Sequence, residues 1–271
     1  MYGTQCFLNT LGAMIDVHSM RDGFALRLDL GDPLQRAMAA QRRYESDVTW
    51  VYPYLLRPGD RVVDGGAHIG YLTLLASRCV GPSGEVHAFE PVPRTFAALG
   101  ENVRINRATN VRTNRVALAA RAGEIELEVP IDPEGEGLLA WGATNVRLRR
   151  GPIERAPAMT LDEYARGYGF DRIALLKLDL EGAELAALRG MHDLLGGARI
   201  DYIVCELNTF LADAQGETYD ATRVYCQRFG YTAYDLRRTA RLQRIERPIV
   251  ETGHLVTDLL FVSPRRTTVD A

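Results

Sequence analysis

The chain has 271 residues, of which 46% are hydrophobic, so it can bury the core of one domain with an elaborated end. Its net charge of −3 provides no broad positive field, which argues against nucleic acid and anionic membranes as partners. The four cysteines are far apart and lack metal-ligand spacing, which excludes a CxxC-type zinc site and favours reduced, buried thiols.

Residues 1–60 are expected to form an N-terminal extension, or cap, before the core of the fold. They contain no basic region followed by an apolar stretch, and no apolar run in the chain reaches membrane-span length, so we expect a cytoplasmic protein without a membrane span. Leucine or phenylalanine recurs at every second position over 24–30, as in a half-buried strand. Residues 34–56 predict a helix up to Pro53. The apolar side chains near the start suggest a homodimer contact or a cover for the core.

From residue 61 to residue 271, strand-like and helix-like segments alternate, which indicates an α/β domain with a parallel sheet and crossover helices. Strands are predicted at 61–64, 85–89, 111–117, 124–129, 173–179 and 201–206. Helices are predicted at 70–79, 93–106, 160–168, 183–195 and 217–229. A last pair of strands, at 230–236 and 257–262, is expected to close the sheet as an antiparallel hairpin.

Prolines and glycines interrupt this alternation over 130–157, which predicts a long loop inserted into the domain. Such a loop is either a lid over a binding site or a tolerated surface insertion, and composition favours neither. Trp141 is the candidate in this loop for stacking on a sugar or an aromatic substrate. The alternative is that it anchors the loop by a hydrophobic contact.

A glycine-rich turn, RVVDGGAHIG at 61–70, is the most informative motif. Asp64 ends an apolar strand, and Gly66 and Gly70 precede a helix, so the backbone can approach a bound nucleotide closely. The next strand ends at Glu90, whose carboxylate can accept hydrogen bonds from both ribose hydroxyls of a nucleoside. Together these features predict an adenosine-type cofactor.

The glycine spacing decides between the cofactor classes. A dinucleotide fingerprint requires glycines at relative positions 1, 3 and 6, and here Ala67 or His68 falls at the third position. A nicotinamide oxidoreductase is therefore disfavoured. The remaining pattern suits S-adenosylmethionine, whose amino group favours a nearby carboxylate and whose carboxylate favours N–H groups at a helix start.

Further polar residues follow two later strands, where ligands of α/β sheets collect. The segment LLKLDLEGAE at 175–184 is an apolar strand ending at Asp179, and the next strand ends at Glu206 and Asn208. These three oxygen-bearing side chains could hold a divalent cation that acidifies a hydroxyl, but such groups are common without metal. We therefore favour hydrogen bonding to substrate and predict no metal ligand.

Six segments together resemble the FkbM family of S-adenosylmethionine-dependent methyltransferases. They are VVDGGAHIGYLTLLAS, HAFEPVPRTFAALGENVRINR, TLDEYA, LLKLDLEGAELAALRG, VCELN and FGYTAYDL, and they lie within residues 44–262. The resemblance implies a class I methyltransferase (Rossmann-like) fold with a doubly wound, mostly parallel seven-stranded sheet. It also implies O-methylation of a natural product, sugar or glycolipid. Many members carry asparagine where His68 stands, so contacts at that position are expected to differ.

The resemblance further implies that the strand end at Ala117 and Leu118 lies beside the adenine, and that the segment with Tyr44 and Glu45 packs over the cofactor. The alternative for these residues is an ordinary place in the core. The complete expected cofactor site comprises Tyr44, Glu45, Asp64, Gly66, His68, Gly70, Glu90, Pro91, Ala117, Leu118 and Asp179.

Methyl transfer to an alcohol requires removal of the hydroxyl proton as the oxygen attacks the methyl carbon in line. Asp179, Glu206 and His68 are the candidate bases, and His68 could instead orient the cofactor carboxylate. The expected substrate contacts are Glu181, Asn208, Trp141 and His254. The remaining histidines are expected to be structural.

The acceptor is expected to be a hydroxyl-bearing small molecule, and its identity stays open. A methyltransferase acting on a carboxyl or an amine, and a non-catalytic cofactor-binding protein of the same fold, remain alternatives. Methylation of nucleic acid is disfavoured, because the chain lacks an Asn/Asp-Pro-Pro-aromatic motif as well as a basic field.

Overall fold

A computed structural model describes residues 7–8, 14–129, 152–208, 220–236, 242–246 and 256–266. Its strands are β1 Phe7–Leu8, β2 Met14–Ser19, β3 Ala25–Asp29, β4 Arg61–Gly65, β5 Glu85–Phe89, β6 Val111–Asn114, β7 Ala117–Leu118, β8 Gly123–Glu128, β9 Ile153–Met159, β10 Ile173–Leu178, β11 Ile200–Asn208, β12 Thr232–Asp235, β13 Gln243–Arg244 and β14 Val256–Val262. Its helices are α1 Pro33–Gln41, α2 Ser46–Thr49, α3 Tyr52–Leu55, α4 Tyr71–Val80, α5 Pro93–Ile105, α6 Leu161–Tyr168, α7 Glu184–Arg189, α8 His192–Gly196 and α9 Ala221–Gln227. None of the helices in these described ranges is long and apolar enough to cross a membrane.

The central sheet has the strand order β13-β12-β14-β11-β10-β4-β5-β6. The strands from β11 to β6 in this order pair in parallel, whereas β14 pairs antiparallel with both β11 and β12. The predicted doubly wound, mostly parallel sheet with an antiparallel closing pair is confirmed, and the two-residue β13 extends it. Chain order reverses between β4 and β10, which is where open α/β sheets form their ligand crevice.

Both faces of this sheet are buried, because neighbouring residues of one strand enter different apolar clusters. Val62 packs in a cluster with α4 and the N-terminal segment, while Val63 packs in a second cluster with α6, α7 and α8. Leu175 and Leu176 on β10 divide in the same way. This two-sided burial explains the nearly continuous apolar runs of the parallel strands.

The N-terminal residues form a separate antiparallel sheet, β1-β2-β3, followed by three short helices. The predicted strand over 24–30 is confirmed, but the single predicted helix over 34–56 is wrong. Arg42 at the end of α1 and Glu45 before α2 both have positive φ, at 56° and 43°, and such residues end an α-helix. Asp32 caps the N-terminus of α1, and its side chain accepts from two backbone N–H groups.

Two predicted strands are also placed differently. The segment predicted over 111–117 forms β6 and β7, and β7 leaves the main sheet. The strand predicted over 124–129 forms as β8, but it pairs with β9 in a second three-stranded sheet, β7-β9-β8. The last part of the predicted loop over 130–157 is strand β9, while 130–151 lies outside the described residues.

The helix predicted over 183–195 is interrupted between α7 and α8 at Gly190. A Cβ at Gly190 would lie 2.1 Å from the carbonyl oxygen of Ala119, so the chain there packs directly against a neighbouring loop. The other predicted helices end within a few residues of their observed bounds.

Helix α5 ties the N-terminal sheet to the glycine turn through two asparagines one helical turn apart. Asn102, which is fully buried, accepts from Arg27 N on β3 at 2.7 Å and donates to the Ile69 carbonyl at 2.8 Å. Asn106 accepts from Ala25 N at 2.8 Å and donates to the Ala25 carbonyl at 2.6 Å. Asn106 therefore pairs with the edge of β3 as a neighbouring strand would, and Asn102 links β3 to the glycine turn.

Candidate functional site

The glycine turn lies at the carboxyl end of β4, against the ends of β5 and β10. Gly66 and Ala67 donate their N–H groups to the Phe89 carbonyl, at 3.0 and 2.9 Å. Gly66 has φ +72°, and a Cβ there would lie 1.8 Å from the carbonyl oxygen of Asp179. The absence of a side chain at Gly66 is therefore required by the protein's own backbone. Gly70, at φ +95°, precedes the first residue of α4.

Glu90 stands one residue beyond β5 and is 6% exposed. Its Oε2 accepts from the His68 N–H at 2.9 Å, and its Oε1 accepts from the Val92 N–H at 3.0 Å. Burial raises the pKa of this carboxyl to about 7, against the opposing effect of the two N–H groups. The carboxylate predicted to hold a ribose is therefore fixed in direction by the turn and by the segment that follows β5.

Glu90 lines an open cleft at the switch point of the sheet. Nine of the predicted cofactor and substrate residues line it: Tyr44, Gly66, His68, Glu90, Pro91, Ala117, Leu118, Asp179 and Glu181.

One wall of the cleft is apolar and contains residues that the sequence interpretation missed. Val92 follows Glu90, Ile125 and Leu127 come from β8, and Leu34 comes from α1. Ile125 and Leu127 alternate in the sequence as a strand should, but their strand was assigned to the wrong sheet. No sequence signal placed Leu34 at this wall.

Several buried carboxyl groups lie close enough to Asp179 to interact with its charge. Burial is the main cause of a raised pKa in five of these carboxyl groups, and the negative charge of Asp179 raises each of them further. The pKa values are about 8 for Glu45, about 8 for Glu181, about 7 for Glu184, about 10 for Glu206 and about 7 for Asp258. Asp258 was missed by the sequence interpretation. It lies directly opposite Glu206 in the antiparallel β11·β14 pair, so two like charges share one face of the sheet. This arrangement favours bound protons or a positively charged ligand.

Asp64 is 1% exposed and is not among the residues that line the cleft. It accepts a hydrogen bond from the Thr73 hydroxyl on α4, and the Lys177 ammonium lies 3.8 Å from its Oδ1. Asp64 was predicted as part of the cofactor site, and these contacts instead indicate that it supports the glycine turn from behind the cleft. Lys177 was also missed, although a lone charged residue inside an apolar strand is a readable signal.

The other predicted residues are distributed as follows. Tyr44 packs edge-on against Tyr71, with ring centroids 5.8 Å apart, and burial raises its pKa above the usual range. Glu45 is its neighbour in the chain, and the two side chains share a hydrogen bond. Asn208 ends β11 opposite Val256. Trp141 and His254 lie outside the described residues.

Carboxylate oxygens of Asp179, Glu184 and Glu206 lie within 4.8 Å of one another. Glu184 Oε1 already accepts from the Leu180 and Gly182 N–H groups, at 2.6 and 3.2 Å. Asp179 and Glu206 are only partly buried, and exposed acidic groups are common without an ion. The cluster therefore does not by itself establish a cation site.

The raised carboxyl pKa values predict that the ligand-free protein loses stability as the pH rises. The folded protein holds these protons above pH 4.5, where an unfolded glutamate has released them, so the unfolded state binds fewer protons and stability falls with pH. The window extends through about pH 8 for Glu181 and about pH 10 for Glu206. We expect the melting temperature to fall between about pH 7 and pH 9.

Differential scanning calorimetry of the ligand-free protein across this range is the measurement. The buried His87 does not contribute to the change of stability above pH 7, because burial lowers its pKa to about 4. The variant Glu206→Gln should give a shallower fall, whereas Glu126→Gln, on the exposed side of β8, should reproduce the wild-type slope. A melting temperature that stays constant or rises over this range would contradict the assigned proton binding.

Comparison with known proteins finds relatives of the part of the chain that contains most of this site. A family model described as the methyltransferase FkbM domain matches residues 64–233, well over half of the chain. Methyltransferase 1 of Beauveria bassiana (strain ARSEF 2860) is 29% identical over 170 residues, covering 58% of this chain and 66% of that protein. The 31-O-demethyl-FK506 methyltransferase FkbM of Streptomyces tacrolimicus is 30% identical over 177 residues, covering 56% of this chain and 67% of that protein.

Among solved structures, methyltransferase FkbM from Methylobacillus flagellatus KT aligns with a TM-score of 0.47 at 15% identity, covering 83% of this chain and 52% of that one. The chain spans just under two thirds of the length of the Beauveria relative. The matched range 64–233 contains the glycine turn, Glu90, Asp179 and Glu206. It leaves out Tyr44, Glu45 and Asp258.

Proposed function

Because the chain belongs to the FkbM methyltransferase family, we propose that it is an S-adenosylmethionine-dependent methyltransferase acting on a hydroxyl group of a small molecule. The observation that carries the proposal is the cleft beside the glycine turn, lined by a Glu90 carboxylate that two backbone N–H groups hold in place. We assign residues 61–271 to the methyltransferase domain and 1–60 to a cap, because Leu34 and Tyr44 line the cleft.

The residues of the cleft fit the cofactor by their chemistry. Glu90 can accept both ribose hydroxyls, and the apolar wall with Ala117, Leu118 and Ile125 suits an adenine ring. Asp179 lies where the positive amino and sulfonium groups belong, and positive charge there would lower the raised pKa of Glu181 so that it also becomes negatively charged. Bound in this way, S-adenosylmethionine supplies a methyl group on a positively charged sulfur.

The contribution of the chain is mainly alignment and electrostatics. Gly66, Gly70 and the buried Asp64 shape the turn, and Pro91 directs the chain from Glu90 toward the apolar wall. Tyr44 lines the cleft from the N-terminal segment and shares a hydrogen bond with Glu45, so the two are proposed to pack over the cofactor. His68 donates its backbone N–H to Glu90 and places its side chain at the cleft.

For removal of the acceptor proton we propose Asp179, Glu206 or His68. Glu206 has its pKa raised to about 10 by burial and by Asp179, so in the ligand-free protein it holds a proton at neutral pH. Positive charge in the cleft would lower that pKa and make Glu206 a base. Glu181 and Asn208 are proposed to hydrogen-bond the acceptor, together with Trp141 and His254, which lie outside the described residues.

The choice of a hydroxyl acceptor is supported by the relative from Streptomyces tacrolimicus, which is named for an O-demethyl compound. A carboxyl or amine acceptor is the alternative. The cytoplasmic location, the homodimer and the exclusion of nucleic acid stay predictions.

Titration calorimetry with S-adenosylhomocysteine tests the cofactor, with NAD as the control ligand. We expect micromolar binding of the homocysteine nucleoside, roughly 8 kcal/mol of binding free energy, and no heat with NAD. A screen of hydroxyl, carboxyl and amine acceptors with isotope-labelled S-adenosylmethionine then identifies the methylated atom by mass spectrometry. Absence of nucleoside binding would overturn the methyltransferase assignment, and methylation of nitrogen alone would overturn the hydroxyl assignment.

A further inference from the structure

A single ammonium group lies among the buried carboxylates beneath the cleft. Lys177 is the penultimate residue of β10 and is 5% exposed, between two leucines that are fully buried. Its Nζ donates to the Gly66 carbonyl at 2.8 Å and lies 3.2 Å from Asp179 Oδ2. The third oxygen near it is Asp64 Oδ1, at 3.8 Å.

These three oxygens come from two different strand ends. Asp64 lies directly opposite Lys177 in the parallel β4·β10 pair, Gly66 is the first residue beyond β4, and Asp179 is the first residue beyond β10. The ammonium group hydrogen-bonds the Gly66 carbonyl and pairs with Asp179, whereas Asp64 Oδ1 lies at ion-pair distance and accepts no hydrogen bond. Lys177 therefore joins the glycine turn to the residue that faces the cleft from the next strand.

A lysine is a costly choice for filling this position. Burial of an unpaired ammonium is strongly unfavourable, and an ion pair in a core is often no more stabilising than apolar residues of the same volume. Burial acts to lower the pKa of Lys177, but Asp179, Asp64 and Glu45 together raise it above its usual value, so the side chain stays charged. Because the ion pair adds little stability, the fixed positive charge of Lys177 is better explained by the groups that it holds in place.

Building on the proposed function, we propose that Lys177 is a positioning residue of the cofactor cleft. Its ammonium group fastens the Gly66 carbonyl and the Asp179 carboxylate in one geometry, so that the turn and the acid present a rigid surface to the ligand. The Thr73 hydroxyl completes the arrangement from α4 by holding Asp64. Lys177 does not line the cleft, so it acts through Gly66 and Asp179.

Two substitutions at this position separate positioning from space filling. Lys177→Met preserves length without the charge, and Lys177→Arg preserves the charge in a larger group. If Lys177 positions the turn, affinity for S-adenosylhomocysteine falls in the order wild type, arginine, methionine, with about tenfold or more lost in the methionine variant. If it only fills space, the methionine variant binds better than the arginine variant, and that order would overturn the proposal.

The matched control is Arg223→Met. Arg223 is 6% exposed and pairs with Asp220 on and beside α9, away from the residues that line the cleft. Its loss removes another buried cation and lowers the melting temperature, while the affinity for S-adenosylhomocysteine should stay at the wild-type value. Equal weakening in Arg223→Met would mean that general destabilisation, and not Lys177, explains the loss.

Hydrogen exchange provides a readout that does not require the ligand. In Lys177→Met, amide exchange at Gly66, Ala67 and His68 is expected to be about tenfold or more faster, while the core amides of β5 keep their protection. Wild-type exchange at these three amides would overturn the proposal. If the wild-type protein binds no S-adenosylhomocysteine, the proposed function fails, and the exchange result still decides the role of Lys177.

If Lys177→Met does not fold, the variant Asp179→Asn provides a second test. Asp179→Asn removes the ion pair with Lys177 without a change in volume. Under the proposal it also speeds amide exchange at Gly66 and Ala67. Unchanged exchange in Asp179→Asn, with or without a folded Lys177→Met, would show that the ion pair does not hold the turn.

Discussion

Replacement of Gly66 by alanine is expected to abolish nucleoside binding and to destabilise the fold by more than about 4 kcal/mol. The added Cβ would lie 1.8 Å from the Asp179 carbonyl oxygen, far inside van der Waals contact, and the obstructing atom is backbone. The φ of +72° adds strain of about 1–3 kcal/mol for a residue with a side chain. The ends of β4 and β10 would have to separate, which opens the floor of the cleft.

Thermal unfolding and calorimetry with S-adenosylhomocysteine measure the two effects. The matched control is Gly167→Ala on the exposed side of α6, where an added Cβ meets nothing within 4 Å. That change should raise stability by about 0.5–1 kcal/mol, because alanine favours a helix over glycine. A folded Gly66→Ala protein with wild-type affinity would show that the approach of Asp179 to the turn is not needed for the site.

Replacement of Glu90 by glutamine is the second change with a large expected effect, about a 100-fold loss of affinity for S-adenosylhomocysteine. Each hydrogen bond to a charged group contributes about 1.5–3 kcal/mol, and two ribose hydroxyls are served by one carboxylate. The substitution also affects the ligand-free protein. A glutamine has one acceptor oxygen for the two N–H groups of His68 and Val92, so its NH₂ group faces a donor.

Titration calorimetry of Glu90→Gln beside Glu126→Gln is the measurement. Glu126 is an exposed glutamate of β8 that pairs with Arg155 at the surface, so its amide variant should bind like the wild type. The Glu90 variant should also melt at a lower temperature, since one backbone N–H loses its acceptor at a cost of about 1–3 kcal/mol. Wild-type affinity in Glu90→Gln would exclude the carboxylate as the ribose ligand.

The parts of the site that were predicted from sequence are those encoded by short local patterns. The turn around Gly66, the acid at Glu90 and the acid at Asp179 each follow an apolar strand directly, and the carboxyl ends of parallel strands meet at one edge of a sheet. Their assembly at one cleft was therefore expected from the predicted parallel sheet. The antiparallel closing pair was also predicted from local patterns, since 230–236 and 257–262 are two strand-like segments at the end of the alternating region.

The parts that were missed depend on which segments pair. The alternation of Ile125 and Leu127 predicts a strand, but only main-chain pairing with β9 places that strand in the second sheet and at the cleft wall. The helix predicted over 34–56 failed because Arg42 and Glu45 adopt positive φ, which apolar periodicity does not report. Asp258 became part of the site through its register opposite Glu206.

The sequence by itself determined the alternating α/β architecture, the class of cofactor turn and the acids at the strand ends, because strand burial and glycine conformation are local properties of the chain. Only the tertiary structure decided that Gly66 must be glycine because of Asp179, that Asp64 lies behind the turn and that Lys177 joins the two strand ends. These relations connect residues more than a hundred positions apart. They depend on the register of β4 against β10, which local sequence does not encode.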